Sequence, residues 1–149
     1  MSFLVDTNIL LRRARPTHSL SPQATRAVSR LMKAGETIYF CSQDIAEFCN
    51  VATRSSDRNG LGFTREAWQE LRSIEGLLTL LPDSPGIYTE WKRLGNDYKV
   101  RGVSVYHARL VAVMRVYGVD QLLAFNVDDF RRYGNLSVVH QTDPLPAFR

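Results

Sequence analysis

Carboxylates recur in this chain at places where apolar runs stop. Phe3-Leu4-Val5 ends at Asp6, which Thr7 and Asn8 follow. Thr-Ile-Tyr-Phe-Cys at 37–41 leads into a segment with Glu47 about one and a half turns in. The run Gln121 to Phe125 ends on Asn126, with Asp128 and Asp129 just beyond. His107 falls in the first turn of an apolar stretch that begins at Ser104. Carboxylates brought together repel, and their pKa values rise unless a cation neutralises them. Such a cluster either shares a proton or binds a divalent metal. Oxygen donors from Asp, Glu and Asn suit Mg²⁺ or Mn²⁺. Ions of that kind activate water and hold the oxygens of a scissile phosphate.

Taken singly, each residue has a plainer role. Asp6, Asn126 and Asp129 stand where helix caps stand. Glu47 suits the edge of an apolar helix face, reaching solvent. His107 suits a satisfied, partly buried histidine. Asp44 and Asp128 read as solvated neighbours of the cluster, and Phe130 and Tyr133 as core. The constellation outweighs its parts because its members fall at one edge of the fold that the rest of the sequence implies.

That fold follows from alternation. After the strand at Phe3–Val5, a short helix runs from Asn8 to Arg15 and stops before Pro16. Ser21-Pro22 starts a helix that Gly35 closes, with Ala24, Ala27, Val28, Leu31 and Met32 at helical spacing. The strand at Thr37–Cys41 follows, and Ser42 is placed to cap a helix presenting Ile45, Phe48, Cys49 and Ala52. Arg54 to Gly62 is polar and Gly-rich, which predicts a mobile loop. Helix over Thr64–Ser73, strand over Leu77–Leu81 and helix from Ser84-Pro85 to Tyr98 come next. Ser104 is the expected cap of an apolar helix, Val105–Tyr117, ended by Gly118. A strand at Gln121–Phe125, a short helix at Asn126–Tyr133, a strand at Leu136–His140 and a Pro-rich tail complete the chain. Strands separated by helices make parallel βαβ units with helices on both faces. The expectation is one domain over 1–149, a three-layer α/β/α fold with a central parallel sheet of about five strands. Sites in such folds lie outside the carboxyl ends of the strands.

Composition narrows the classes. The chain has 149 residues, 44% hydrophobic and 23% charged, which suits a globular domain and excludes a disordered or disulfide-framed one. Cys41 and Cys49 lack a C-x-x-C spacing and read as two buried free thiols. No apolar run reaches the length of a membrane span, and the N-terminus lacks a basic signal region, so the expectation is a cytoplasmic protein with no membrane association. The net charge is +4, carried by sixteen Arg against three Lys. Arg presents a planar fork that matches phosphate, which favours nucleic acid or an acidic protein as partner. A phosphate-binding Gly-rich loop, a G-x-S-x-G elbow and a supported Cys–His pair are all missing, so nucleophilic catalysis by a side chain has no support.

Four segments in order carry a family likeness. They are Phe3-Leu4-Val5-Asp6-Thr7-Asn8-Ile9-Leu10, Gln43-Asp44-Ile45-Ala46-Glu47-Phe48, Val105-Tyr106-His107-Ala108-Arg109-Leu110-Val111-Ala112 and Leu123-Ala124-Phe125-Asn126-Val127-Asp128-Asp129-Phe130. With them the sequence resembles the PIN-domain family, and within it the VapC-like toxins of type II toxin–antitoxin pairs. The resemblance implies a ribonuclease dependent on Mg²⁺ or Mn²⁺, a homodimer, RNA as substrate and an antitoxin protein as partner. It places Asp6, Glu47 and Asp129 as metal ligands, with Asn126 beside them in the catalytic set. Thr7 and Asn8 support the first Asp. Arg12, Arg13 and Arg109, with Arg15 and Arg101, become candidates to bind the RNA backbone.

The chain departs from the family pattern at one position. Where the family usually has His-Asp-Ala-Arg-Leu, this chain has Tyr106-His107-Ala108-Arg109-Leu110, so His107 stands at an acidic position. A neutral imidazole replaces a negative oxygen; Mn²⁺ accepts this better than Mg²⁺. Two readings follow, a weakened or Mn²⁺-preferring enzyme and a degenerate domain that binds RNA or an antitoxin without cutting. A haloacid-dehalogenase-like phosphatase is disfavoured because position 8 is Asn, not a second Asp. A receiver domain lacks its acidic pair and Lys.

Overall fold

The computed structural model describes residues 1–134 and 136–140; the Pro-rich tail, 141–149, lies outside the described residues. Five strands form the centre: β1 (Ser2–Val5), β2 (Thr37–Cys41), β3 (Thr79–Leu81), β4 (Gln121–Ala124) and β5 (Ser137–His140). All pairings are parallel, in the order β3-β2-β1-β4-β5. Among the described residues six α-helices surround them: α1 (Thr7–Ala14), α2 (Ser21–Lys33), α3 (Ser42–Thr53), α4 (Arg65–Leu77), α5 (Pro85–Asp97) and α6 (Ser104–Tyr117). The expected three-layer α/β/α architecture is the observed one.

The pleat divides the core. Phe3 and Val5 of β1 point into a cluster with Ile9, Leu10, Leu31, Phe48 and Ile74, under α1 to α4. Leu4 points the other way, into a cluster with Leu94, Leu110, Val111 and Met114 under α5 and α6. Covered on both faces, β1 is an unbroken apolar run with Phe3, Leu4 and Val5 fully buried. The same logic explains α6, whose residues 110–114 are all buried between the sheet and α5.

Several boundaries move for local reasons. Helix α4 runs on to Leu77 because Ile74 is buried, so β3 starts only at Thr79. The cap of α3 is Cys41, not Ser42, and Asp44 accepts from the Cys41 N–H in a capping box. Ser104 is the first helical residue of α6 and caps nothing. Its turn is closed by backbone instead: Ser104, Val105 and Tyr106 N–H groups donate to the carbonyls of Arg101, Gly102 and Val103. The segment after β4 is a single 3₁₀ turn, Val127–Phe130. Phe130 and Tyr133 are core, as expected. Cys49 is only half-buried, unlike Cys41.

The polar loop after α3 is tied down rather than loose. Leu61 and Phe63 N–H groups donate back to Val51 and Ala52 at 3.1 and 2.8 Å, and Gly60 and Gly62 to Ser55 and Arg54 at 3.0 and 2.9 Å. Gly60 permits this closure. A Cβ there would sit 2.0 Å from the Arg54 carbonyl oxygen. Gly60→Ala is therefore expected to destabilise the fold by about 1–3 kcal/mol, as overpacking does. Urea unfolding checks this; an unchanged midpoint would show that the loop gives way freely.

Candidate active site

The order of the sheet reverses between β1 and β4, since the chain builds outward from β1 first one way and then the other. In open parallel sheets the crevice forms at such a point, at the carboxyl ends of the strands. Here it is a cavity of about 440 Å³ whose polar lining includes Asp6, Thr7, Asn8, Gln43, Glu47, Asn50 and His107. Asp6 enters it directly from β1. Its N–H donates to the Leu123 carbonyl of β4 at 2.9 Å, which extends the ladder by one residue. Its Oδ1 accepts from the Thr7 N–H at 2.9 Å, capping α1. Burial pushes the Asp6 carboxyl up to about 7. The Thr7 hydrogen bond opposes that shift, and the charges of Glu47 and Asp129 add to it.

Glu47 comes from α3 and is held at both oxygens. Its Oε2 accepts from Thr7 Oγ1 at 2.9 Å and its Oε1 from Gln43 Nε2 at 2.8 Å. Gln43 also donates to the Tyr106 carbonyl at 2.8 Å, which ties α3 to the first turn of α6. Its own carbonyl oxygen accepts from Arg109 Nη1 at 3.3 Å. His107, next along α6, packs its ring against Phe130 at 5.0 Å between centroids. Its Nε2 lies 3.9 Å from Asp129 Oδ2, an ion pair when the imidazole is protonated. Its Nδ1 is buried with no hydrogen-bond partner among the described residues.

The same architecture recurs among solved structures. A chain of VapBC2 from Rickettsia felis, bound to a DNA fragment from its promoter, superposes with a TM-score of 0.72 at 16% identity, over 94% of this chain and 98% of that one. VapC20 of Mycobacterium tuberculosis, a Sarcin-Ricin loop cleaving toxin, gives 0.66 at 17% identity over 87% and 94%. VapBC-1 from nontypeable Haemophilus influenzae gives 0.67 at 16% identity over 96% and 100%. The chain has the PIN-domain fold of VapC proteins. No family model matches the sequence, and no curated protein matches it.

Within this PIN fold the expected residues separate into three groups. Asp6, Thr7, Asn8, Glu47 and His107 share the cavity. Asp129 does not line it: it is exposed, acts on Asp6 only by charge and lies 3.9 Å from His107 Nε2. Asn126 does not join them: it is exposed, and it lines a separate shallow hollow with Asp128, Asp129 and His140. The arginines expected to face a substrate are also elsewhere. Arg109 pairs with Asp83 at 3.1 Å and bonds Gln43, so it braces the site from outside the cavity. Arg13 pairs with Glu70 at 3.7 Å, and Arg12 does not line the cavity. Asp128 is solvated, as expected. Asp44 is not: it is fully buried, because its part in the capping box turns it inward. Gln43 is a site residue that sequence reasoning passed over. Its spacing of four from Glu47 on one helix was the available signal.

As they stand, the side chains do not enclose an ion. Among the described residues, no three of His, Cys, Asp and Glu are grouped closely enough to hold a metal. Both Glu47 oxygens are turned to protein donors, and Asp129 leans toward His107. The donor chemistry nevertheless fits a hard divalent cation. The charges of Glu47 and Asp129 both act on Asp6, and among the described residues neither Lys nor Arg pairs with Asp6 or Glu47.

The Asp6 shift has a signed consequence. In the unfolded chain this carboxyl ionises near 3.8, and in the fold near 7. Between those values the folded state holds the extra proton, so stability falls as pH rises through the window, by up to about 1.4 kcal/mol per pH unit. The penalty is absent below the lower value and complete above the upper one. Asp6→Asn keeps the cap and removes this contribution. Its unfolding free energy should exceed the native protein's at pH 8 in EDTA and fall less steeply from pH 4 to 7, on the order of the slope above. Parallel curves for the two proteins would place the Asp6 carboxyl in water.

Proposed function

We propose that this chain is the toxin of a toxin–antitoxin pair, an endoribonuclease assisted by Mg²⁺ or Mn²⁺. The observation that carries the reading is the Asp6–Glu47–Asp129 set at the switch point of a PIN fold, uncompensated by any Lys or Arg of the described residues. VapC20, of the same fold, is by name a Sarcin-Ricin loop cleaving toxin, which supports RNA as substrate. Asp6, Glu47 and Asp129 would hold the ion, which when bound supplies an activated water and offsets phosphate charge. Thr7 and Gln43 orient Glu47, and Asn8 offers a neutral polar contact on the cavity wall. Arg15 and Arg101, both exposed, are the arginines of the expected set best placed to meet an RNA backbone in solvent. An antitoxin partner and a homodimer belong to the same proposal. The neighbours are VapBC assemblies, which supports the first.

A second reading has its own observation. His107 faces Asp129 where a further carboxylate would add charge, and among the described residues no three of His, Cys, Asp and Glu meet. A domain of this kind binds RNA or antitoxin and does not cut.

One assay separates the two. Native protein, His107→Asp and Asp6→Asn are incubated with tRNA in Mg²⁺, Mn²⁺ or EDTA. Metal-dependent cutting by the native chain, lowered about 100-fold or more by Asp6→Asn, supports the enzyme. Cutting by His107→Asp alone establishes the disarmed domain. Cutting that survives Asp6→Asn would remove the site assignment. Thermal unfolding adds a reading free of turnover: Mn²⁺ at about a hundredfold over its Kd should stabilise the native fold by about 2.7 kcal/mol and leave Asp6→Asn unmoved.

A further inference from the structure

Asp44 lies in the first turn of α3, wholly enclosed, three residues before Glu47. Its Oδ2 accepts from the Cys41 N–H at 3.0 Å and lies 3.3 Å from Cys41 Sγ. Its Oδ1 lies 3.3 Å from Thr7 Oγ1, and that same hydroxyl lies 2.9 Å from Glu47 Oε2. A hydroxyl has one hydrogen to give. The shorter contact, to Glu47, takes it. An ionised Asp44 would then set Oδ1 against a hydroxyl lone pair, fully enclosed and with no other donor to Oδ1 among the described residues. A fully buried charge left that way is expensive. The titratable groups facing Asp44 are Cys41 from β2, Asp6 from the end of β1 and Glu47 from its own helix, and none is basic.

We propose that Asp44 is held as the neutral acid and donates Oδ1–H to Thr7 Oγ1, so that Thr7 donates in turn to Glu47 Oε2. The chain Asp44→Thr7→Glu47 then satisfies every contact with one hydrogen each and points all of them the same way. Asp44 is a positioning residue: it touches neither cavity nor substrate and acts on Glu47 through Thr7. With Gln43 on the other oxygen, Glu47 is fixed at both ends. A neutral Asp44 also keeps a further negative charge away from Asp6 and Glu47. Burial raises the Asp44 carboxyl well above the usual range, against the Cys41 N–H bond, and Asp6 and Glu47 push it the same way. The hydrogen-bond chain stands without the ribonuclease reading. Its effect on metal binding and cutting rests on that reading.

The test compares native protein, Asp44→Asn and Asp44→Ala. Infrared difference spectra in D₂O at pH 8, without metal, should show the carbonyl stretch of a protonated carboxylic acid in the native protein that is lost in Asp44→Asn. Asparagine reproduces the neutral acid, since its amide donates to Thr7 and its oxygen accepts from Cys41. Asp44→Asn should therefore keep Mn²⁺ affinity and kcat on tRNA near native values. Asp44→Ala should lose about 10- to 100-fold in both, as loss of an orienting partner does. The absence of the carboxylic-acid band overturns the proposal. So does an Asn variant that fails as badly as the Ala variant. If Asp44→Ala does not fold, the band and the Asn variant still decide. If native protein binds no Mn²⁺ and cuts nothing, the ribonuclease reading falls while the band continues to decide the state of Asp44.

Discussion

Desolvation of one carboxylate organises this molecule's working edge. β1 is the middle strand of a five-stranded parallel sheet, covered on both faces, and Asp6 is the residue that follows it. Its backbone is committed to the ladder with β4, so the side chain has nowhere to go but the crevice. There it gains one hydrogen bond from α1 and loses most of its water. Glu47 from α3 shares that space and Asp129, from the turn after β4, lies beyond its wall, and the charge of each raises the electrostatic cost. An arrangement that gathers negative charge at the crevice where the sheet order reverses is costly for the protein alone, which is the physical reason to look for a cation there.

The crevice is held by neutral groups rather than by ion pairs. Thr7 and Gln43 each bond Glu47, and Gln43 spans from α3 to α6 through the Tyr106 carbonyl. Arg109 extends the network outward to Asp83 and leaves the cavity without its charge. Had the arginine pointed inward, it would have neutralised the carboxylates and closed the crevice to a metal. Bracing from outside fixes geometry and spares the field within.

His107 is where the chain's chemistry and its fold part company. The backbone superposes on VapC structures at 16–17% identity, which bears on the fold and leaves chemistry to the side chains. The imidazole packs on Phe130 and lies 3.9 Å from Asp129 Oδ2, where the family pattern would put a carboxylate. His107 thus stands between Asp129 and the cavity carboxylates in a fold whose sheet and helices match those structures.

Much of this was legible in the chain itself. Apolar runs, Pro-led helix starts and Gly stops are local signals, so the strand–helix alternation and the three layers could be read directly. Asp6, Glu47 and His107 could be placed too, because each stands at a fixed offset from a strand end or helix start. The boundaries of α4, β3 and α6 could not, since packing of Ile74 and backbone turns before Ser104 overrode the caps that residue types suggested. Nor could the partners of the polar groups. Thr7 meets Asp44 and Glu47 across 37 and 40 residues, and Arg109 meets Gln43 across 66. Residue type tells which groups can carry charge or donate a hydrogen. Only the folded arrangement decides which of them lose their water and must share one hydrogen, and that is what separates a solvated Asp44 from a buried one.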